Sequence, residues 1–446
     1  MLRLKLSGKY REIVHTSFPF MLLMMSQSIN SIVDMFIVGH IGMDAIAAVG
    51  LCGFIFSIMT SGITGIMISV QTEVAKSVGS NRSDMAINAL HSALIVAVLL
   101  GAAVIGLSYL LPSVLILFIH DHDLLENCIS YLHMLSFAAP AIGMVRAFRG
   151  YYAAIGENRI SVIIILLIYF FNFIIGFTLV YLGYGISGAG TGTSLAFYIG
   201  AFSFLISGRF LPQEYHFFKI HDAFSKIKSI SLLSFYAGSQ QLFFSGGFAV
   251  MFVIAGQMNS PSLAVITVLN NLMLLSITPL IGIGMASAVY VSKSIGSGKL
   301  KDAEEWGNIA LKMGMVIFII QMLILINPHQ VMSVFIKDIS IVNDYVWLFK
   351  ITVIMVISEV FAQILKFSMF GAGYNKKIAI TTIPLQWFVF IPSALYFCVN
   401  HHYDIAFLWF LFLTYRAIEA ICLFIIWKKK NWLPADSEYK PQETVN

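Results

Sequence analysis

The sequence predicts an all-α membrane protein, with twelve transmembrane helices in two six-helix bundles related by a parallel pseudo-twofold repeat. Three observations carry that expectation. The 446-residue chain is 59% hydrophobic and only 11% charged. Its apolar residues gather into many runs longer than the roughly 20 residues a helix needs to cross a bilayer. Shifted by 217 residues, the chain superposes on itself without gaps.

In chain order, apolar windows place helices near 14–38, 46–73, 86–111, 125–152, 161–182 and 186–207, then near 231–257, 262–292, 304–326, 342–370, 378–399 and 404–427. Arg3, Lys5, Lys9 and Arg11 precede the first window. Further basic residues stand at alternate junctions, among them Lys76, Arg82, Arg159, Lys299, Lys301, Lys376, Lys377 and Lys428. By the positive-inside rule both termini are cytoplasmic, and the expected location is the inner (cytoplasmic) membrane, multi-pass. No charged segment with a short apolar core and a cleavage site precedes the first window, so the amino terminus is expected to be retained. The expected organisation is an amino-terminal lobe over 1–207, a polar cytoplasmic connector over 208–230, a carboxy-terminal lobe over 231–428 and a cytoplasmic tail over 429–446.

The internal match is spread along both halves. "AKSVGSN" at 75–81 falls on "SKSIGSG" at 292–298, "LFIHD" at 117–121 on "VFIKD" at 334–338, and "AIGEN" at 154–158 on "GAGYN" at 371–375. Six helices per repeat is an even number, so the halves share one orientation, as in parallel-repeat transporters.

Composition also excludes. The net charge of +5 is not gathered into one patch, which argues against nucleic acid. Cys52, Cys128, Cys398 and Cys422 show no CxxC pairing and read as small buried hydrophobes. "HDHD" at 120–123 and "HH" at 401–402 lack matched ligand spacing, so no metal is expected. No Walker motif is present, and neither is a DxxxD or His–acid pair at a membrane face. A primary pump and a membrane-embedded transferase are therefore disfavoured, and the protein is read as a non-enzyme without a cofactor.

Within the first window lies "SQSINSIVDMF" at 26–36. On a helix Asp34, Asn30, Gln27 and Ser31 share one face. An intramembrane carboxylate costs at least roughly 2.5 kcal/mol and commonly marks an ion pathway. The repeat puts Phe244, Gly247, Phe248 and Met251 opposite Gln27, Asn30, Ser31 and Asp34, so the second half has no such stripe. A purely structural need would have appeared twice. Pro19, lower on the same helix, removes a backbone donor and permits a bend. Met24, one turn before Gln27, suits an adaptable apolar pocket. Glu359 is the other deep carboxylate and stands as a secondary coupling candidate. Glu73 with Lys76, and Glu419 with Arg416, read as interfacial ion pairs near cytoplasmic ends. In "GISGAGTGTS", Thr193 and Ser194 read either as cavity-lining hydroxyls or as part of a small-residue packing face.

These segments resemble the multidrug and toxic compound extrusion transporters over essentially the whole chain. "VDMFIVGHIGMDAIAAVGL" at 33–51 is similar to the family's first-to-second helix junction. "AKSVGSNRSDMA" and "SKSIGSGKLKDA" resemble its paired cytoplasmic loops, and "YYAAIGENR" and "MFGAGYNKK" its segments after helices 4 and 10. The resemblance is closest to the bacterial and archaeal branch with an Asp on helix 1 linked to cation coupling and a Pro lower on that helix. Asp34 and Pro19 fill those positions.

The resemblance supports Asn172 and Tyr131 beside Asp34; together with the helix-face reading this gives an expected coupling site of Asp34, Asn172 and Asn30, and an expected substrate site drawing on Gln27, Met24, Tyr131 and Ser194. Family members of this branch often carry an acid one turn after the position of Asn172, where this chain has Gly176. The implied function is secondary export of amphipathic, mostly cationic small molecules against protons, by a monomer embedded in the lipid bilayer. Sodium coupling and a lipid-linked oligosaccharide flippase of the same broader fold are the alternatives. A flippase calls for many basic residues in its cleft, and the windows hold few.

Overall fold

The computed structural model describes residues 8–39, 41–116, 121–218, 222–258, 260–323, 327–333 and 339–433. Within its helices the side chains of 27–32, 35, 43, 44, 114, 260–264 and 339–341 are outside the described set. Among the described residues the secondary structure is helical throughout. In order come α1 (Gly8–Val38), α2 (Met43–Ser61), α3 (Thr64–Gly79), α4 (Ser83–Leu110), α5 (Pro112–Leu115), α6 (His122–Ser136), α7 (Ala138–Ile155), α8 (Asn158–Leu179) and α9 (Gly185–Ser207). Then follow α10 (Ile227–Met258), α11 (Ser260–Gly296), α12 (Leu300–Gln321), α13 (Pro328–Ser333), α14 (Ile339–Gly371), α15 (Asn375–Pro384), α16 (Ile391–Ala394) and α17 (Ile405–Lys428).

With hydrocarbon as the surroundings, each backbone polar group must be satisfied within its own segment, and a helix does this. Among the described residues eight helical runs are long and apolar enough to cross a membrane, or nine if the bent pair α6 and α7 is one span. One of those runs, Asn158–Phe210, has 53 residues. At 1.5 Å per residue it would reach about 80 Å, far beyond one bilayer. It doubles back at Gly183, whose φ of 90° lies in the left-handed region that a side chain resists. The two limbs, α8 and α9, then pack along each other.

The chain divides into two compact units, Leu22–Leu242 and a second made of residues up to Met21 together with Phe243 onward. The division differs from lobes bounded at 207 and 231. The first turns of α1 belong with the carboxy-terminal helices, and the first turns of α10 belong with the amino-terminal ones. Specific contacts account for both. Lys9 Nζ lies 3.1 Å from Asp302 and 2.6 Å from Glu305, and the Thr16 and Tyr290 hydroxyls are 2.9 Å apart. In the other unit Ser229 donates to Glu73 at 2.8 Å, Lys226 pairs with Glu73 at 3.3 Å, and Ser69 and Ser234 share a 2.5 Å hydrogen bond. Glu73 thus has a partner on the connector side of α10, beyond the local Lys76 suggested by spacing.

The carboxy-terminal unit has a continuous apolar core in which Trp409, Phe412, Phe349, Leu269 and Met251 are buried. In the amino-terminal unit Leu90, Leu132, Phe148, Ile168 and Phe204 are buried, and α8 and α9 also approach closely at the backbone. At Gly192 of α9 a Cβ would lie 2.5 Å from the Gly176 Cα of α8, so only glycine permits this spacing.

Candidate functional site

Three helices of the amino-terminal unit converge on one carboxylate. α1 carries Asp34, half-buried; α8 carries Asn172, which is 1% exposed; α9 carries Thr193, which is 5% exposed. Asn172 donates from Nδ2 to Asp34 Oδ1 at 2.7 Å. Thr193 donates from Oγ1 to Asn172 Oδ1 at 3.0 Å and also approaches the Ala189 carbonyl at 3.2 Å. The chain of donors has one consistent direction. With its oxygen accepting from Thr193, the Asn172 amide can offer only N–H to Asp34. A carboxyl oxygen accepts that bond whether the group is ionised or, with its proton on the other oxygen, neutral. The Gly192–Gly176 contact brings α8 and α9 close enough for the bond between Thr193 and Asn172.

Other expected residues fall around this point with different roles. Tyr131 of α6 is 2% exposed and within electrostatic reach of Asp34. Ser194 donates to the Met134 carbonyl at 2.6 Å, so its hydroxyl ties α9 to α6. Met24 is half-buried on α1. The side chains of Gln27 and Asn30 lie outside the described residues. Pro19 is buried inside α1, and the boundary between the compact units at Met21 and Leu22 follows it directly.

The sequence left Thr193 open between two readings and passed over Tyr169. Thr193 is hidden in a run of glycines and hydroxyls that reads equally well as packing. Tyr169, one turn before Asn172, lies within electrostatic reach of both Asp34 and Arg149 and beside the Ser26 hydroxyl. Its position at i−3 from Asn172 was the available signal.

Glu359 of α14 is fully buried in the other unit. Arg416 of α17 holds both its oxygens, through Nε at 2.5 Å and Nη2 at 2.6 Å, and Gln363 adds a bond at 2.9 Å. Arg416 also pairs through Nη1 with Glu419. The Arg416–Glu419 pair, expected at an interface, is buried at 1% exposure on each side. The interior location follows from Glu359, which supplies Arg416 with the bidentate partner it needs away from water. Lys366 sits over the Phe244 ring at 5.4 Å.

Among the described residues no group of three or more His, Cys, Asp or Glu is arranged to hold a metal ion. All four cysteines are free thiols, with Cys52, Cys128 and Cys398 buried.

A helical membrane protein with two compact units, one of which holds a hydrogen-bonded acid on α1, is the class these features define. The chain belongs to the MatE family, whose model matches residues 19–178 and again 237–394, and it is accordingly a multi-pass membrane transporter. It is similar to "Probable multidrug resistance protein NorM" of Bacillus cereus, with 22% identity over 402 residues covering 86% of this chain and 88% of the relative. "Multidrug resistance protein NorM" of Burkholderia vietnamiensis is 25% identical over 338 residues, covering 71% and 70%. Among solved structures, a MATE in the bent conformation aligns with a TM-score of 0.86 at 20% identity, covering 95% of this chain and 96% of that one. A MATE in the straight conformation aligns at 0.83 and 19% identity, with the same coverage. A MOP superfamily transporter from Pyrococcus furiosus, described with a binding pocket of reverse polarity, aligns at 0.83 and 19%, again with the same coverage.

Proposed function

We propose that this chain is a secondary active multidrug exporter that moves amphipathic, mostly cationic small molecules outward in exchange for protons. In this reading it crosses the inner membrane twelve times with both termini cytoplasmic, works as a monomer, and consists of two six-helix halves related by a parallel repeat. The observation that carries the proposal is the hydrogen-bonded sequence Thr193 to Asn172 to Asp34. It fixes one carboxylate, in an apolar lobe, in a geometry compatible with both of its protonation states. The printed names of the NorM relatives support drug export as the task.

The chemistry runs through Asp34. Ionised, it favours a bound cation; protonated from outside, it is neutral and releases that cation. Protonation also weakens the charge-assisted Asn172 bond that ties α1 to α8, and α1 then bends near Pro19. Both ligands draw on the same charge, so binding of one disfavours the other. Protons suit the site better than sodium, since a hard cation needs several oxygen ligands and Gly176 supplies none from its side chain. Glu359, clasped by Arg416, is assigned to holding α14 against α17 and not to coupling.

The test is efflux of a cationic dye from vesicles with an imposed proton gradient. Asp34→Asn keeps shape and hydrogen bonding but cannot ionise, and it is expected to abolish coupled efflux while inserting normally. Met251→Asp, at the repeat-related position, is expected not to rescue it, because Met251 is fully buried in the apolar core. Robust proton-driven efflux by Asp34→Asn would overturn the assignment.

A further inference from the structure

The amino-terminal unit buries positive charge on α7. Arg149 is 8% exposed, and its Nε and Nη2 have no hydrogen-bond partner. Arg146, one turn earlier, donates through Nη1 to the Thr60 carbonyl, where α2 ends. Among the described residues neither guanidinium forms a salt bridge. Away from water an uncompensated guanidinium is costly.

Negative charge in this unit is scarce. Of its described acids, all but Glu73 and Asp34 are exposed. Glu73 is paired with Lys226. Asp34 is the acid that remains to balance Arg149.

Tyr169 of α8 puts the two in one neighbourhood. It is 8% exposed and lies within electrostatic reach of both Arg149 and Asp34, with the Ser26 hydroxyl of α1 beside its own. Ser26 Oγ donates to the Leu23 carbonyl at 2.9 Å, so toward Tyr169 it accepts, and the phenol is tied to the helix that carries Asp34. Charges in such buried surroundings are screened little by salt. Around Asp34, α6 presents Tyr131 with Cys52 of α2 beside it, both uncharged at neutral pH, and α9 presents Thr193, which does not titrate.

The repeat shows the same need met differently. Arg149 falls on Lys366, so both halves bury a cation at one register. In the carboxy-terminal unit Glu359 and Glu419 lie within electrostatic reach of Lys366. The amino-terminal positions matching those acids are Ile142 and Phe202, which leaves the balancing charge to Asp34.

We propose that Arg149, acting across Tyr169, is a positioning residue for coupling: its permanent positive charge keeps Asp34 ionised and so sets how acidic the outside must be before Asp34 takes a proton. The inference rests on the reading of Asp34 as the coupling acid. Without the cation the ionised carboxylate is less favourable, so protonation moves to higher pH. A unit charge one side chain away is worth on the order of one pH unit at the effective dielectric of a protein interior.

The full chain in nanodiscs would be titrated with ethidium, a cation whose charge does not titrate, and affinity measured by fluorescence anisotropy across pH. Wild-type affinity is expected to fall as pH falls, and that of Asp34→Asn to be weak and flat. In Arg149→Gln the fall should come about one pH unit higher, while Arg149→Lys, which keeps the charge, should stay near the wild-type midpoint. Should Arg149→Gln fail to fold, Arg149→Met takes its place with the same expectation. A midpoint that does not move in the uncharged variant, or one that moves equally in Arg149→Lys, would overturn the role of Arg149 while leaving Asp34 as the coupling acid. A pH dependence that survives in Asp34→Asn would instead overturn the reading on which the inference rests.

Discussion

Asn172 on α8 reaches Asp34 on α1 with a 2.7 Å hydrogen bond, and its own orientation is set by Thr193 on α9. A residue that touches the coupling acid and a residue that only aims its neighbour should therefore differ when removed.

Asn172→Ala should cut proton-driven dye efflux strongly, and Thr193→Ala more mildly, by several-fold. The double variant should be no worse than Asn172→Ala alone, because Thr193 acts through Asn172. Additive losses in vesicle efflux would show that Thr193 has a separate role.

Gly192→Ala should destabilise the amino-terminal unit by about 1 to 3 kcal/mol, since the added methyl meets backbone and not a movable side chain. Gly176→Ala meets only the end of Ile37 at 3.1 Å and should be milder. Thermal unfolding midpoints in detergent check the order, which fails if Gly176→Ala is the worse of the two.

Arg416→Leu strands two buried carboxylates and should cost roughly 3 to 5 kcal/mol, seen as poor folded yield. Replacing Glu359, Arg416 and Glu419 together with apolar residues of similar volume should recover much of that yield. No recovery in the triple variant would mean that the network does more than satisfy itself.

Pro19→Ala should slow turnover several-fold with little change in dye affinity, because Pro19 sits beside the point where α1 passes from one compact unit to the other. A wild-type rate of efflux would remove the bending step.

Apolar helical runs and the acid in α1 were legible because both are local signals, whereas the bend between α6 and α7, inside the single window 125–152, was not. Asn172 was legible through resemblance. The Glu359–Arg416 clasp was not, since its partners are 57 residues apart and each looks complete without the other: Glu359 as a lone acid, Arg416 beside Glu419. Thr193 was obscured because a hydroxyl among glycines serves packing and hydrogen bonding equally well. The regrouping of the first turns of α1 and α10 was invisible for a related reason. Apolar periodicity says that a face is buried, but not against which helix.

That regrouping imposes an order on biosynthesis. Lys9 leaves the ribosome 293 residues ahead of Asp302, a wait of about 15 to 60 s at ordinary rates of chain elongation. Through that interval the start of α1 must idle in the bilayer or at its surface while its permanent neighbours are still being translated. The amino-terminal unit likewise stays unfinished until residues 227–242 arrive. Neither half can mature as a self-contained product of its own stretch of message, and a chain released early would leave both incomplete, presenting unsatisfied faces to membrane quality control.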